Sequence, residues 1–226
     1  MIFALAHPAS LAGLLLAFAV ALVLRAVVQR FLARRLVPGV ADRQLFRLQR
    51  DGDIFGVVGA LFGGTGWGRP APLPDHHPGW RPHDVGKRVV VLLAGPLVPI
   101  LLSQVILALY PLLGGSPFGL AFATPGNSLL GQPGPLLDQF LVCFAVGLFC
   151  FGLLDLVPLP PLDGWGLLRL AVRREGPGMQ RARHWLDEQN VGTGILVFGM
   201  LPLFGGAGLW VIVLDAIGGP LLSLWH

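Results

Sequence analysis

The chain has 226 residues, of which 54% are hydrophobic and only 12% are charged, whereas about 25% of the residues in a typical soluble domain are charged. Its mean hydropathy is +0.71, its formal net charge is +4 and its pI is about 10.0. This composition excludes a soluble enzyme, a disordered tail and a secreted disulfide scaffold, and it predicts an all-α polytopic membrane protein with about four transmembrane helices.

The basic residues, fifteen arginines and Lys87, predict how the chain crosses the membrane. They lie mainly between 30 and 88 and between 169 and 183, and none lies in the uncharged stretch 89–137. The positive-inside rule therefore places both basic loops in the cytoplasm and both termini outside a cell membrane. Because such loops face lipid headgroups, we expect the lipid bilayer and no nucleic acid as a partner.

The first predicted span covers about 11–32 and ends in a basic collar. The segment Ile54–Trp67 is apolar, but it is too short to cross a bilayer and is rich in glycine. The proline-rich stretch 66–74 that follows is predicted to be extended. Together they predict a short re-entrant or β-hairpin element associated with the membrane, over about 54–74.

The second predicted span covers about 89–113 and contains Ala94-Gly95-Pro96, small residues that permit close approach of another helix. The Gly-, Pro- and Ser-rich stretch 114–135 follows it and carries no basic residue. We therefore expect this stretch to be an outside loop.

The third predicted span, about 137–157, must end at a run of three prolines within four residues, and a fourth span is predicted at about 191–215. Asp155 and Asp163 bracket the proline run. A carboxylate at membrane depth is costly, so it marks a candidate functional site. The alternative for Asp163 is that it caps a helix beginning at Gly164, because Asp is a favoured N-cap residue.

Three motifs, in chain order, resemble those of the site-2 protease family, which are intramembrane zinc metalloproteases. Gly-Trp-Gly-Arg-Pro-Ala-Pro (66–72) is similar to the family's Gly-Trp-(Ala/Gly)-(Lys/Arg)-Pro-Val-Pro strand, and Leu-Ala-Gly-Pro-Leu (93–97) to its second helix. Asp-Leu-Val-Pro-Leu-Pro-Pro-Leu-Asp-Gly (155–164) resembles its Asn-x-x-Pro-x-Pro-x-Leu-Asp-Gly signature. The resemblance implies a single site-2-protease-like membrane domain over 1–226, with Asp163 at the position of the third zinc ligand.

The family's His-Glu-x-x-His motif is missing from the chain. Two His at i and i+4 share a helix face and bind one zinc, while the Glu activates water. If the trailing Ala-Arg of that motif aligns with Ala33-Arg34, then Arg25 and Gln29 stand at the His positions and Ala26 at the Glu position. Arginine stays protonated and alanine has no base, so neither can do this chemistry.

If Arg25 replaces a zinc ligand, its side chain should converge with Asp163. We therefore expect the guanidinium to pair with Asp163 and Asp155, placing a positive charge where the resemblance implies zinc. The alternative is that Arg25 extends to the cytoplasmic interface instead.

The leading hypothesis is a catalytically inactive site-2-protease-like protein, a pseudoenzyme, that binds a transmembrane client or forms a subunit of a membrane complex. No cofactor is then expected. The family's substrate groove would be retained for the partner, with these candidate lining residues: Gly66, Trp67, Gly68, Arg69 and Pro70.

Two other functions remain open. One is an active zinc endopeptidase with relocated ligands, for which the histidine cluster at His76, His77 and His83 is the sole sequence candidate; as loop residues they are better interpreted as solvated. The other is a small carrier or channel component, which the absence of an internal repeat disfavours. The low lysine content, with abundant Arg, Ala, Gly and Pro, suggests a bacterial, GC-rich source.

Overall fold

The structure is a computed structural model of the chain. It describes residues 1–37, 46–70, 73, 82–172, 176–203 and 206–225. Within these residues the fold is helical, and the β structure found there is one isolated antiparallel bridge between Gly52 and Gly68.

Eleven α-helices are defined in the described part of the chain. They are α1 (Pro8–Leu36), α2 (Leu48–Asp51), α3 (Ile54–Gly63), α4 (Pro82–Leu109), α5 (Pro117–Ala121), α6 (Pro125–Leu130), α7 (Leu136–Asp155), α8 (Asp163–Ala171), α9 (Pro177–Arg183), α10 (Val191–Met200) and α11 (Leu209–Leu222). Two short 3-10 helices, Ile2–Ala6 and Ser223–Trp225, and one π-helical turn, His184–Glu188, complete them.

Three of these helices are long and apolar enough to cross a membrane: α1, α4 from Asp84 onward, and α7. They contain most of the first, second and third predicted spans. Their mean hydropathies over the most apolar window are 2.6, 2.4 and 2.1. The chain is therefore a membrane protein by the length and composition of these helices.

Helix α7 lies at the centre of the three. In its apolar window 67% of the residues are buried, against 33% in α1 and in α4. Glycines permit this close packing, because a Cβ at Gly13 of α1 would lie 2.5 Å from the Phe140 carbonyl oxygen, and one at Gly152 of α7 would lie 2.5 Å from the Pro96 carbonyl oxygen. Helices α1 and α4 thus cover two sides of α7.

The chain reverses direction after α3 and runs back along this helix. The Asp53 carboxylate caps its first turn, and Gly64 ends it with a left-handed backbone (φ 78°). The extended residues that follow return along it, and the Trp67 indole donates a hydrogen bond to Asp53 (2.7 Å). The element predicted over 54–74 is therefore a short helix followed by an extended return within 54–70, and the described residues contain no β-hairpin.

The fourth predicted span, 191–215, is not one continuous helix. Helix α10 ends at Met200 and α11 begins at Leu209. Pro202, two residues after the end of α10, has no backbone N–H to continue the helical hydrogen bonding. Gly206 has a left-handed backbone (φ 96°), which an α-helix does not use. Neither of the two helices reaches the length of a span by itself.

The stretch 114–135, expected to be a loop, contains α5 and α6. Both helices begin with a proline, after the capping residues Ser116 and Thr124. Helix α6 packs against both α7 and α11. This stretch is therefore partly inside the helical assembly and not wholly on its surface.

Candidate functional site

A buried charged cluster joins α1 to the end of α7 and the start of α8. The Arg25 Nε donates hydrogen bonds to Asp155 Oδ2 (2.7 Å) and to Asp163 Oδ2 (3.0 Å), and its Nη2 donates to Asp163 Oδ1 (2.7 Å). The three residues are only 2%, 1% and 1% exposed. The structure thus brings together the three residues expected to pair, and Arg25 does not extend to the interface.

Two further contacts extend this cluster. Gln29, one turn after Arg25 on α1, donates its amide N–H to Asp163 Oδ2. The Arg25 Nη1 donates to the backbone carbonyl of Arg69 (2.7 Å). Arg25 therefore binds both carboxylates and also holds the extended segment that follows α3.

The proline run positions the two carboxylates. It ends α7 at Asp155, and the chain turns so that α8 begins at Asp163. The Asp163 N–H also faces Asp155 Oδ1, at 3.4 Å. The N-cap residue of α8 is Leu162, and the Asp163 carboxylate binds Arg25 and Gln29. The interpretation of Asp163 as the capping residue is therefore wrong.

The glycine of Ala94-Gly95-Pro96 makes room for the cluster. Helix α4 passes so close to it that a Cβ at Gly95 would lie 2.6 Å from Asp163 Oδ2 and would also meet the Gln29 amide. The small-residue motif of the second span thus packs against the site itself.

A small cleft opens beside the cluster, with room for about one water molecule. Its lining residues come from α1, from the end of α2 and from the extended segment: Leu22, Arg25, Ala26, Gln29, Arg30, Asp51, Arg69 and Pro70. Ala26, at the Glu position of the aligned motif, is half-buried here. It contributes a methyl group and no base.

Sequence reasoning missed a second buried ion pair next to this cleft. Arg30 of α1 pairs with the carboxylate of Asp51, and the Asp51 carbonyl accepts the backbone N–H of Arg69 (2.9 Å). The bridge between Gly52 and Gly68 lies beside this bond. Arg30 stood in the predicted basic collar, and no sequence signal distinguished it from the other collar arginines.

The five candidate groove residues divide into two groups. Gly66, Trp67 and Gly68 are buried, because they pack against α3 and α1, and Trp67 is 0% exposed. Only Arg69 and Pro70 are exposed. The side chains of the last two are therefore accessible from outside the protein, whereas the first three stabilise the protein's own packing.

Asp138 and Asp215, two further carboxylates that sequence reasoning missed, hold the stretch between α4 and α7. Asp138, at the start of α7, accepts hydrogen bonds from the Tyr110 hydroxyl, from the Ser116 hydroxyl and from the Ser116 N–H (3.0 Å). Burial and the bond to Asp138 raise the pKa of Tyr110. Asp215 of α11 accepts the backbone N–H of Gly126 (2.7 Å). Their position in apolar runs was the sequence signal for both.

The residues present do not fit the zinc ion that the family resemblance implies. Arg25 occupies the space between Asp155 and Asp163 with a permanently charged guanidinium, and Gln29 uses its amide N–H, not a lone pair, toward Asp163. The described residues hold no group of three or more His, Cys, Asp or Glu side chains that could bind a metal.

The histidine cluster considered for relocated ligands lies outside this description. His76 and His77 are not among the described residues, and the side chain of His83 is not described either. Zinc ligation by these three histidines therefore stays a sequence-based alternative.

Comparisons with known protein families, with curated protein sequences and with solved structures return no match. The fold and the cluster define a helical membrane protein with three long apolar helices and a buried ion-pair network at the end of the central one.

Proposed function

We propose that this chain is a site-2-protease-like membrane protein that has lost its metal centre and acts by binding a transmembrane partner, either a client or the other subunits of a complex. The observation that carries the proposal is the direct contact of Arg25, Gln29 and Asp163. The motif alignment assigns these three positions to the metal ligands of the family. Their contact supports the alignment, because it joins two residues of α1 to Asp163, more than 130 positions further along the chain.

The chemistry of the cluster supports binding over cleavage. A metalloprotease needs a polarised water and a general base next to it. Here the aligned base position is Ala26, and the aligned ligand positions donate hydrogen bonds from Arg25 and Gln29. The carboxylates are already bound, so they are not free to activate water.

The surface near the cluster supports a partner within the membrane. Arg69 and Pro70 are exposed beside the cleft, and α3 presents large apolar side chains outward, with Ile54 75% and Phe55 55% exposed. A transmembrane helix of a partner matches these surfaces. Its apolar side chains can pack against α3, and where the helix is unwound its free backbone groups can bind the polar residues beside the cleft.

The proposed membrane arrangement has four crossings, with α10 and α11 together forming the fourth. At 1.5 Å per residue α10 and α11 are about 15 and 21 Å long, enough as a pair for a core of about 30 Å. Helix α3, also about 15 Å long, is then a re-entrant helix. Both termini lie outside and both basic loops lie in the cytoplasm, as the charge pattern indicates.

Metal analysis of engineered chains tests the proposal. The unmodified protein, purified with zinc present, is expected to carry no stoichiometric zinc. A chain with Arg25→His, Ala26→Glu and Gln29→His is expected to bind about one zinc per chain, and adding Asp163→Ala is expected to abolish it. A correctly folded triple variant that binds no zinc contradicts the alignment.

Two further results decide between binding and catalysis. A photo-crosslinking residue at position 69 is expected to capture a membrane protein in cells, whereas one at position 112, where Leu112 is 82% exposed, is expected to capture lipid. Stoichiometric zinc in the unmodified protein, lost in Asp163→Ala together with cleavage of a membrane-spanning substrate, overturns the proposal in favour of an active protease.

A further inference from the structure

Helix α6 lies inside the helical assembly, although it belongs to a stretch with the sequence of a loop. Pro125, Ser128 and Leu129 are buried. The carbonyl of Ser128 accepts a hydrogen bond from the Cys143 thiol of α7 (3.4 Å), and Cys143 is 0% exposed. Helix α6 therefore covers the part of α7 that carries this thiol.

The same end of α6 also meets the residue that ends α3. A Cβ at Gly64, the residue that ends α3, would lie 2.6 Å from the Leu129 carbonyl oxygen and 3.0 Å from the Leu129 Cβ. Leu129 is 0% exposed. Two short helices that enter from different parts of the chain thus touch end to end beside α7.

Hydrogen bonds at both ends hold α6 in this position. At its first turn, Gly126 donates its N–H to Asp215 of α11 (2.7 Å). After its last turn, Gln132 is 0% exposed, donates its amide to the Gly119 carbonyl (2.8 Å) and accepts from Ser10 of α1 (3.3 Å) at its own carbonyl. Helix α6 is therefore fixed between α11 and α1.

Asp215 is the unusual member of this set. Between Val191 and Trp225 it is the only ionisable side chain. A carboxylate in such an apolar helix is costly, so it marks a candidate functional residue. Its hydrogen bond to Gly126 links α11, the second half of the proposed fourth crossing, to α6. A Cβ at Gly126 would lie 3.1 Å from this carboxylate, so the contact is close.

We propose that α6 is a re-entrant plug that closes the space between α7, α11 and the tip of α3, and that the Asp215–Gly126 hydrogen bond is the latch that keeps it closed. Opening of the latch exposes the covered side of α7, including Cys143, whose thiol bonds the Ser128 carbonyl of the plug. The proposal concerns a different part of the molecule from the Arg25 cluster, and it stands whether or not that cluster has the function proposed above.

The rate of thiol labelling at Cys143 tests the latch. In a Cys150→Ala background, where Cys143 is the single thiol, the protein in proteoliposomes is treated with a membrane-impermeant maleimide. Asp215→Ala is expected to raise the labelling rate at least about tenfold, since local opening governs access to a buried group. Asp215→Asn retains an oxygen acceptor for the Gly126 N–H and is expected to label at close to the rate of the parent.

A control thiol distinguishes opening of the plug from unfolding. Ala21 of α1 is 0% exposed and packs against α7 away from α6, so in a cysteine-less chain Ala21→Cys is expected to stay unlabelled with or without Asp215→Ala. Equal Cys143 labelling in the parent and in Asp215→Ala overturns the latch. Equal acceleration by Asp215→Ala and Asp215→Asn overturns it too, as does labelling at position 21 in the Asp215→Ala chain.

Discussion

The two ends of α7 each carry a buried carboxylate, and they satisfy it in different ways. At the first (N-terminal) end, Asp138 accepts hydrogen bonds from neutral donors, the Tyr110 and Ser116 hydroxyls and a backbone N–H. At the last (C-terminal) end, Asp155 and Asp163 both bind the guanidinium of Arg25. The same residue type is buried at both ends, but only the second end depends on a formal counter-charge.

The two clusters also differ in the sequence separation between each carboxylate and its hydrogen-bond partners. The partners of Asp138 lie 28 and 22 residues before it, so that cluster organises the adjoining loop. Arg25 lies 130 residues before Asp155 and 138 before Asp163, so the other cluster joins elements from distant parts of the chain. One end of α7 thus fixes a local turn, and the other fixes how α1 packs on α7 and α8.

Loss of the charge at the last end is expected to have the largest effect. Arg25→Ala leaves two buried carboxylates without their cation, which costs about 3–5 kcal/mol of the free energy of unfolding. Arg25→Lys keeps the charge but not the branched donors, and an intermediate loss is expected. Denaturant unfolding in mixed micelles measures both. A loss below about 1 kcal/mol for Arg25→Ala would show that the cluster does not hold α1 in place.

The first end is expected to respond less. Asp138→Ala leaves the hydroxyls of Tyr110 and Ser116 without their acceptor, and the expected loss is about 2 kcal/mol. Tyr110→Phe removes a single donor and is expected to cost about 1 kcal/mol. The same unfolding experiment compares these variants with Arg25→Ala. If Asp138→Ala is as damaging as Arg25→Ala, the contrast between neutral and charged partners is wrong.

A matched pair of glycines on α4 sharpens the comparison. Gly95→Ala places a methyl group against Gln29 and Asp163, and the expected cost is about 1–2 kcal/mol. Gly86→Ala on the same helix meets nothing within 4 Å, and it is expected to stabilise by up to about 1 kcal/mol because alanine favours the helix. Unfolding of both variants under one condition measures the difference. Equal effects would mean that α4 does not pack tightly on the cluster.

Alkaline pH is expected to produce the smallest effect, and only at the first end. Burial and the bond to Asp138 raise the pKa of Tyr110 in the folded protein, whereas in the unfolded chain it is about 10. The contribution of Tyr110 to stability is therefore complete below pH 10 and is lost above it, by up to about 1 kcal/mol at pH 11. The measurement is the difference in pH dependence between the parent and Tyr110→Phe, and parallel curves would count against a buried, protonated Tyr110.

Hydropathy and proline content predicted the three long helices and the end of α7 well. A run of about 20 apolar residues is a strong signal, and so is a cluster of prolines. The break between α10 and α11 was not predicted, although Pro202 signals it, because an average over a window does not register one missing hydrogen bond. The extent of α1, Pro8–Leu36, was underestimated because its last turns are basic.

The charged cluster at Arg25 was accessible to sequence reasoning because a motif alignment connected two distant segments, α1 and the proline run between α7 and α8. The pair of Arg30 and Asp51 had no such guide, because it depends on how a short polar segment folds against α1. Asp215 was accessible in principle, as an isolated carboxylate in an apolar helix. Its partner was not, since a backbone N–H leaves no trace in the sequence.

The identity of the cation at the end of α7 has a consequence for how the protein matures. A guanidinium is covalently part of its own chain, and it keeps its charge at every pH at which proteins fold. Translation and folding alone therefore complete the Arg25 cluster, at a fixed stoichiometry of one cation per chain. No chaperone has to deliver this cation. A chelator cannot remove it, and a shortage of metal ions around the protein does not affect it.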